Sequence, residues 1–148
     1  MKQMIYAALF AVLPFASFAA ELIKKPSAHD VETTANRLEA AISKAGATLF
    51  ARVDHAAGAA SIDAELRPTV MLMFGNPKIG TPAMQDNQTS GLDLPLRVVI
   101  FQDESGSTHL AYRQPADFAA AHGLDAGAEY IARMTGALDK LTNAATSQ

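Results

Sequence analysis

Apolar side chains recur along this chain at two different spacings. Residues 31–45 repeat them every three or four positions, which predicts an amphipathic helix that Asp30 caps and Gly46 ends. Asp125 caps a predicted last helix with the apolar stripe Ile131, Met134, Leu138, Leu141 and Ala145. A short helix or turn is predicted over residues 55–61. Short helices are also predicted from Thr81-Pro82, as N-cap and first position, to residue 88 and over residues 115–122.

Strand-like segments separate these helices. Residues 48–54 alternate in strand fashion, and residues 69–74 form an unbroken apolar run that is typical of a central strand covered on both faces. Residues 96–102 and 108–113 flank a polar turn sequence, which predicts a β-hairpin. Residues 20–28, which contain Leu22-Ile23, predict a short edge strand. The pattern predicts a single α+β domain in which helices pack on a mixed four- to five-stranded sheet. The residues predicted to share its core are Leu38, Val70, Leu72, Phe74, Val98 and Ile100.

The first 19 residues have the layout of a secretory signal peptide. Lys2 precedes an uncharged, almost wholly apolar segment, and Ser17-Phe18-Ala19 places small residues at both positions that signal peptidase reads. We therefore expect cleavage between Ala19 and Ala20, a single domain over residues 20–148, and a periplasmic or secreted protein with no membrane contact after cleavage. An uncleaved anchor is disfavoured because the apolar segment is shorter than the roughly 20 residues of a spanning helix.

Composition narrows the classes of function. The chain carries 12 Lys and Arg against 15 Asp and Glu, and the predicted cleavage removes one of the lysines. An acidic chain without a basic cluster is a poor candidate for nucleic acid, because neutralised phosphates supply much of that affinity. The chain has no cysteine, which rules out disulfides, thiol redox chemistry and zinc–thiolate sites.

Short motifs in a fixed order give the chain a family resemblance. They are Glu32-Thr33, Arg37-Leu38, the segment FARVDHA at residues 50–56, Ala59, LRPT at 66–69, FGNP at 74–77, Gly80-Thr81, LPL at 94–96, Gly106, Tyr112, Pro115 and HGL at 122–124. The sequence resembles the prokaryotic family called domain of unknown function 302. That resemblance implies a compact single-domain α+β fold, leaves a homodimer open, and implies no agreed reaction, substrate or cofactor.

The candidate ligand-binding residues are His55, Asn76, Lys78, Thr81 and Asp93. His55 follows a predicted strand and begins a predicted helix, whose positive end favours the neutral imidazole. Residues 75–81 also follow a strand and open a helix, the setting in which backbone N–H groups bind anions. If the strands run parallel, these segments meet at one edge of the sheet. We therefore expect a cleft between His55 and the loop from Asn76 to Pro95, in an uncharacterised exported module that binds a small molecule or a protein.

Two alternatives to a binding module remain open: an enzyme and a copper-binding protein. A small cofactor-free hydrolase or isomerase would use His55 as base, with Ser61 or Thr81 as nucleophile and Asp93 as orienting group; Glu65 and Asp93 are the candidate carboxylate pair. A periplasmic copper protein would use thioether and imidazole ligands, which suit Cu(I), and the candidates are Met71, Met73, Met84, His55 and His109. The first alternative lacks a nucleophile-elbow motif, and the second places methionines in an apolar run where they ordinarily fill a core.

Overall fold

The computed structural model describes residues 22–148, so the predicted signal peptide lies outside the described residues. The strands are β1 (Leu22–Pro26), β2 (Thr48–Asp54), β3 (Thr69–Gly75), β4 (Leu96–Gln102) and β5 (Thr108–Arg113). The helices are α1 (Val31–Lys44), α2 (His55–Ala60), α3 (Pro77–Asp86), α4 (Pro115–Ala121) and α5 (Glu129–Thr146), with a 3₁₀ helix at Gln88–Leu92. The predicted α+β fold with five strands is confirmed. No helix within residues 22–148 is long and apolar enough to cross a membrane.

The sheet is antiparallel throughout, in the order β1-β5-β4-β3-β2, and the prediction of a mixed sheet is wrong. Parallel neighbours need a crossover that runs back along the whole strand. The six-residue helix α2 between β2 and β3 is about 9 Å long, against about 24 Å for a strand of seven residues. Each of the strands β3, β4 and β5 pairs with the strand that precedes it in the chain, whereas β1 and β2 lie at opposite edges of the sheet.

The core lies between one face of this sheet and the helices α1 and α5. Every second residue of β3 is buried, and the alternate residues point to the opposite face, as the period of a strand requires. All six residues predicted for the core belong to one cluster of buried side chains, and Leu38, Leu72, Val98 and Ile100 are fully buried. The prediction of the core is confirmed.

Helix ends agree with the sequence in part. Gly46 follows α1 with a φ of 69°, a left-handed conformation that glycine adopts without strain. Helix α3, in contrast, begins at Pro77 rather than Pro82, because the Asn76 carboxamide accepts a hydrogen bond from the Lys78 N–H at 2.9 Å. The prediction of Thr81 as N-cap is wrong.

Two arginines of the family motifs tie elements together. The Arg52 guanidinium of β2 donates to the carboxylates of Glu32 (2.6 Å) and Glu39 (3.0 Å) on α1. The Arg37 guanidinium of α1 donates to the carbonyl oxygens of Ala144 and Ala145 at 3.1 and 3.2 Å. Arg37 thereby satisfies carbonyl groups that a helix end leaves without partners.

Asp103 organises the hairpin between β4 and β5. Its carboxylate accepts hydrogen bonds from the Ser105 hydroxyl at 2.7 Å and the Ser107 N–H at 3.0 Å, and it pairs with the His109 ring at 2.6 Å. The Ser105 hydroxyl first, and the His109 ring second, hold the pKa of this carboxyl well below its usual range. These bonds favour the ionised carboxylate in the folded state.

We expect Asp103→Asn to change the acid dependence of stability. The pKa of Asp103 is lower in the folded than in the unfolded chain, where it is about 3.9. Its stabilisation is therefore present above about pH 4 and is lost as the pH falls through the lower, folded-state pKa. Melting temperatures of the two proteins should differ at pH 6 and converge toward pH 2. Glu104→Gln, at the exposed neighbouring position, is the control. A difference in melting temperature between Asp103→Asn and the wild-type chain that is the same at pH 6 and pH 2 would contradict the lowered pKa of Asp103.

Candidate functional site

An apolar cavity lies where β3 ends and β4 begins. It has a volume of about 460 Å³ and is partly open to solvent. Phe74 and Leu96 line it from the sheet, Ile79 and Met84 from α3, and Met134 from α5. Further lining residues are Ala45, Ala47, Phe50, Gly75, Asn76, Pro77, Gly80, Thr81, Leu94, Pro95, Ala137, Lys140 and Leu141. The space thus lies between α3, α5, the end of α1 and the loop that leads into β4.

Two glycines allow the walls of this cavity to approach each other. A Cβ atom at Gly75 would lie 3.4 Å from the Cβ atom of Pro95, and one at Gly80 would lie 3.6 Å from the Cδ1 atom of Leu94. Both distances are in the range of van der Waals contact, so Gly75 and Gly80 lie close against the loop with Leu94 and Pro95. The FGNP and LPL motifs therefore meet in space, and together they build one wall of the cavity.

Three polar side chains line the cavity: Asn76, Thr81 and Lys140. The Asn76 carboxamide is already used at both ends, since its oxygen caps α3 and its nitrogen donates to the Gly46 carbonyl oxygen at 3.3 Å. Thr81 and Lys140 are exposed, and their side chains make no hydrogen bond or ion pair with residues 22–148. Asn76 is therefore a structural group, whereas Thr81 and Lys140 remain able to contact a ligand.

His55 does not face this cavity, and the prediction of a cleft that His55 shares with the Asn76–Pro95 loop is wrong. In the antiparallel pair, Thr48 lies opposite Gly75 and Asp54 lies opposite Val70. His55 and Asn76 are consequently at opposite ends of the sheet, on the order of 20 Å apart. His55 is exposed, and Asp54 caps α2 by accepting the Ala57 N–H at 2.9 Å.

Lys78 and Asp93 also lie outside the cavity lining. Lys78 is exposed on the first turn of α3. Asp93 pairs with the Arg97 guanidinium at 2.8 Å and with the His122 ring at 2.8 Å, and the second ring nitrogen of His122 lies 3.3 Å from the Thr89 hydroxyl. Of the five predicted ligand-binding residues, the structure brings Asn76 and Thr81 to the cavity.

The contacts Thr89–His122–Asp93 follow the order of a hydrolytic triad, a combination that was not predicted from the sequence. The Thr89 hydroxyl, however, donates to the Asn87 carboxamide oxygen at 2.9 Å, and the Asn87 amide donates to the His122 carbonyl oxygen at 2.8 Å. The His122 side chain is only 8% exposed. These contacts attach the end of α4 to the 3₁₀ segment and serve as a structural tie. The HGL motif at residues 122–124 is the sequence signal that marked it.

The side chains proposed for the hydrolase or isomerase, and those proposed for the copper site, do not lie together in the structure. The Ser61 hydroxyl donates to the Gly58 carbonyl oxygen of its own turn at 2.7 Å, and Glu65 lies on the connection from β2 to β3, far from Asp93. Met71 and Met73 lie on the sheet face away from α1, whereas Met84 lines the cavity. Within residues 22–148, no group of three or more His, Cys, Asp or Glu side chains is placed to hold a metal ion.

The described residues form a small α+β domain with an apolar cavity beside its sheet. Residues 23–141 match the family described as "Domain of unknown function DUF302". The chain therefore belongs to this family, and the resemblance is confirmed.

A solved structure and curated relatives were also found. The structure "uncharacterized conserved protein DUF302 from Bacillus stearothermophilus" has a TM-score of 0.77, 19% sequence identity, and covers 86% of this chain and 99% of its own. "Fluoride-specific ion channel FluC 1" of Brucella suis biovar 1 (strain 1330) is 43% identical over 103 residues, which are 70% of this chain and 41% of that protein. The protein of the same name from Brucella abortus biovar 1 (strain 9-941) is 43% identical over 103 residues, or 38% of its length. The chain thus spans about two fifths of the curated relatives that it matches.

Proposed function

We propose that this chain is a non-enzymatic binding module that holds a small, mainly apolar molecule in the cavity between α3 and α5. The observation that carries the proposal is the cavity itself, with a volume of about 460 Å³ and a predominantly apolar lining. Ligand sites commonly have volumes of about 300–1,000 Å³, with apolar walls and few polar groups.

The polar groups around the cavity support binding rather than catalysis. Thr81 is the hydroxyl of the lining, and its side chain makes no hydrogen bond to a histidine or carboxylate of residues 22–148. An activated nucleophile needs a base within hydrogen-bond reach. The histidine that was expected to serve as base, His55, follows the opposite end of β2.

Titration with 1-N-phenylnaphthylamine, a neutral fluorescent apolar probe, tests this function. The chain contains no tryptophan, so the probe signal is read without strong intrinsic fluorescence. We expect saturable binding of one probe per chain. A signal that rises linearly without saturation, as for weak surface adsorption, would contradict the proposal.

We expect His55→Ala to leave probe binding unchanged. His55 is exposed and lies at the opposite end of the sheet from the cavity, so its removal should alter the free energy of unfolding by less than about 0.5 kcal/mol. Thermal melting and probe titration of the variant check this expectation. A folded variant that no longer binds the probe would show that His55 takes part in binding.

We also propose that the module is exported, because residues 1–19 have the layout of a signal peptide. N-terminal sequencing of the protein from the periplasm or the medium should find Ala20 first, and a protein that still begins at Met1 would contradict export with cleavage. Binding to a protein partner remains a prediction. Formation of a homodimer, which the family resemblance leaves open, also remains a prediction.

The relatives favour a second candidate function, as an accessory to an ion channel. Because the family match covers all but the ends of this chain, most of the 103 aligned residues of the FluC relatives lie within the DUF302 domain. Those proteins, named fluoride-specific ion channels, therefore contain a segment related to this domain. More than half of each of them lies outside the alignment with this chain. If this chain assists such a channel, deleting its gene should increase the fluoride sensitivity of the cells. Unchanged growth in fluoride would remove this candidate and leave the first untouched.

A further inference from the structure

The cavity has one charged residue in its lining, Lys140, on the outer part of α5. We infer that the ligand is an amphipathic carboxylate, with an acyl chain in the apolar cavity and its carboxylate at the Lys140 ammonium. This inference rests on the proposed function, because it names the chemical class of the molecule that the same cavity would hold.

Lys140 differs from the other basic side chains around α5. The Arg133 guanidinium is paired with the Glu129 carboxylate at 2.6 Å, and the Lys25 ammonium is paired with the Asp139 carboxylate at 3.1 Å. Arg37 donates to carbonyl oxygens at the end of the helix. Lys140 makes no ion pair with residues 22–148, and no acidic side chain lines the cavity. Its positive charge is therefore available to an anionic group at the cavity.

The number of donors favours a singly charged head group. A lysine ammonium is a point charge without the fork of donors that an arginine offers to a phosphate. Thr81 adds one hydroxyl, and the Asn76 carboxamide is already used by α3 and by Gly46. One ammonium and one hydroxyl can satisfy a carboxylate, whereas a doubly charged phosphate ordinarily recruits several donors.

The volume sets the length of the apolar part. A water molecule occupies about 30 Å³ in the liquid, so a cavity of about 460 Å³ holds on the order of 15 non-hydrogen atoms. Decanoate has a chain of this scale and one carboxylate. Since Lys140 is exposed, its ammonium stays hydrated and charged while the acyl chain leaves water.

Isothermal titration of the purified full chain with decanoate and with 1-decanol tests the inference. The two probes share a tail and differ in the charge of the head group. We expect decanoate to bind about fivefold more tightly than 1-decanol, the upper range for an ion pair with an exposed lysine. Lys140→Met should weaken decanoate binding and bring the two affinities together, and Lys140→Arg should preserve most of the difference.

Lys24→Met is the matched control, because Lys24 lies over the Phe101 ring on the other face of the sheet. It should change neither affinity. Equal affinities of the wild-type chain for the two probes would overturn the carboxylate inference while leaving the binding function in place. The same conclusion would follow if Lys140→Met left decanoate binding unchanged, or if Lys24→Met weakened it equally. Failure of both probes to bind in a saturable manner would overturn the proposed function as well.

Discussion

Replacement of Leu72 by alanine is expected to lower the free energy of unfolding by about 2–5 kcal/mol. Leu72 lies in the middle of β3, an interior strand of the sheet, is fully buried, and belongs to the main core cluster. Truncation removes apolar surface from the core and leaves a cavity that the paired strands β2 and β4 cannot close without moving. Chemical denaturation with equal m-values for both proteins measures the difference.

Leu92→Ala provides a control with the same chemical change. Leu92 is 80% exposed at the end of the 3₁₀ segment, so its truncation should alter stability by less than about 0.5 kcal/mol. Equal losses of stability in the two variants would mean that the position of Leu72 in the core is incorrect.

Filling the cavity is expected to have the largest effect on binding. Ala137 is half-buried on α5 and lines the cavity, so the indole of Ala137→Trp should occupy much of the space that the ligand needs. We expect the affinity for 1-N-phenylnaphthylamine to fall at least thirtyfold, which corresponds to about 2 kcal/mol. The helical circular dichroism signal should be retained, because the new side chain enters an existing space.

Ala132→Trp places the same side chain on an exposed position of the same helix. This variant should bind the probe as the wild-type chain does. If Ala137→Trp bound the probe normally, or if both variants lost binding equally, the cavity would not be the binding site.

The parts of the fold that could be predicted are those that local patterns encode. The apolar spacing of residues 31–45 and of the stripe from Ile131 to Ala145 identified α1 and α5. The apolar run at residues 69–74 identified the interior strand β3, although only every second residue of this strand is buried. Strand direction could not be predicted in the same way, because a buried strand has the same apolar pattern in parallel and antiparallel sheets. The start of α3 was ambiguous as well, since Asn76-Pro77 and Thr81-Pro82 are equally good start signals, and the capping contact of Asn76 decides between them.

The same dependence on strand direction and tertiary packing explains why only part of the cavity lining could be predicted from the sequence. Asn76 and Thr81 were found because they neighbour the end of β3, whereas His55 was placed there on the assumption of parallel strands. Lys140 and Ala137 were missed because α5 reaches the cavity only through tertiary packing. Their signal was present in the sequence: Ala137 and Lys140 follow Met134 at intervals of three, so they flank the predicted apolar stripe.

Native mass spectrometry of the full chain, purified without detergent from the cells that produce it, tests the central claim most directly. The wild-type chain and Ala132→Trp should each carry one small molecule per chain, and Ala137→Trp should carry none. A wild-type chain observed only at its bare mass, or one small molecule retained equally by Ala137→Trp, would contradict the claim that this cavity is a ligand-binding site.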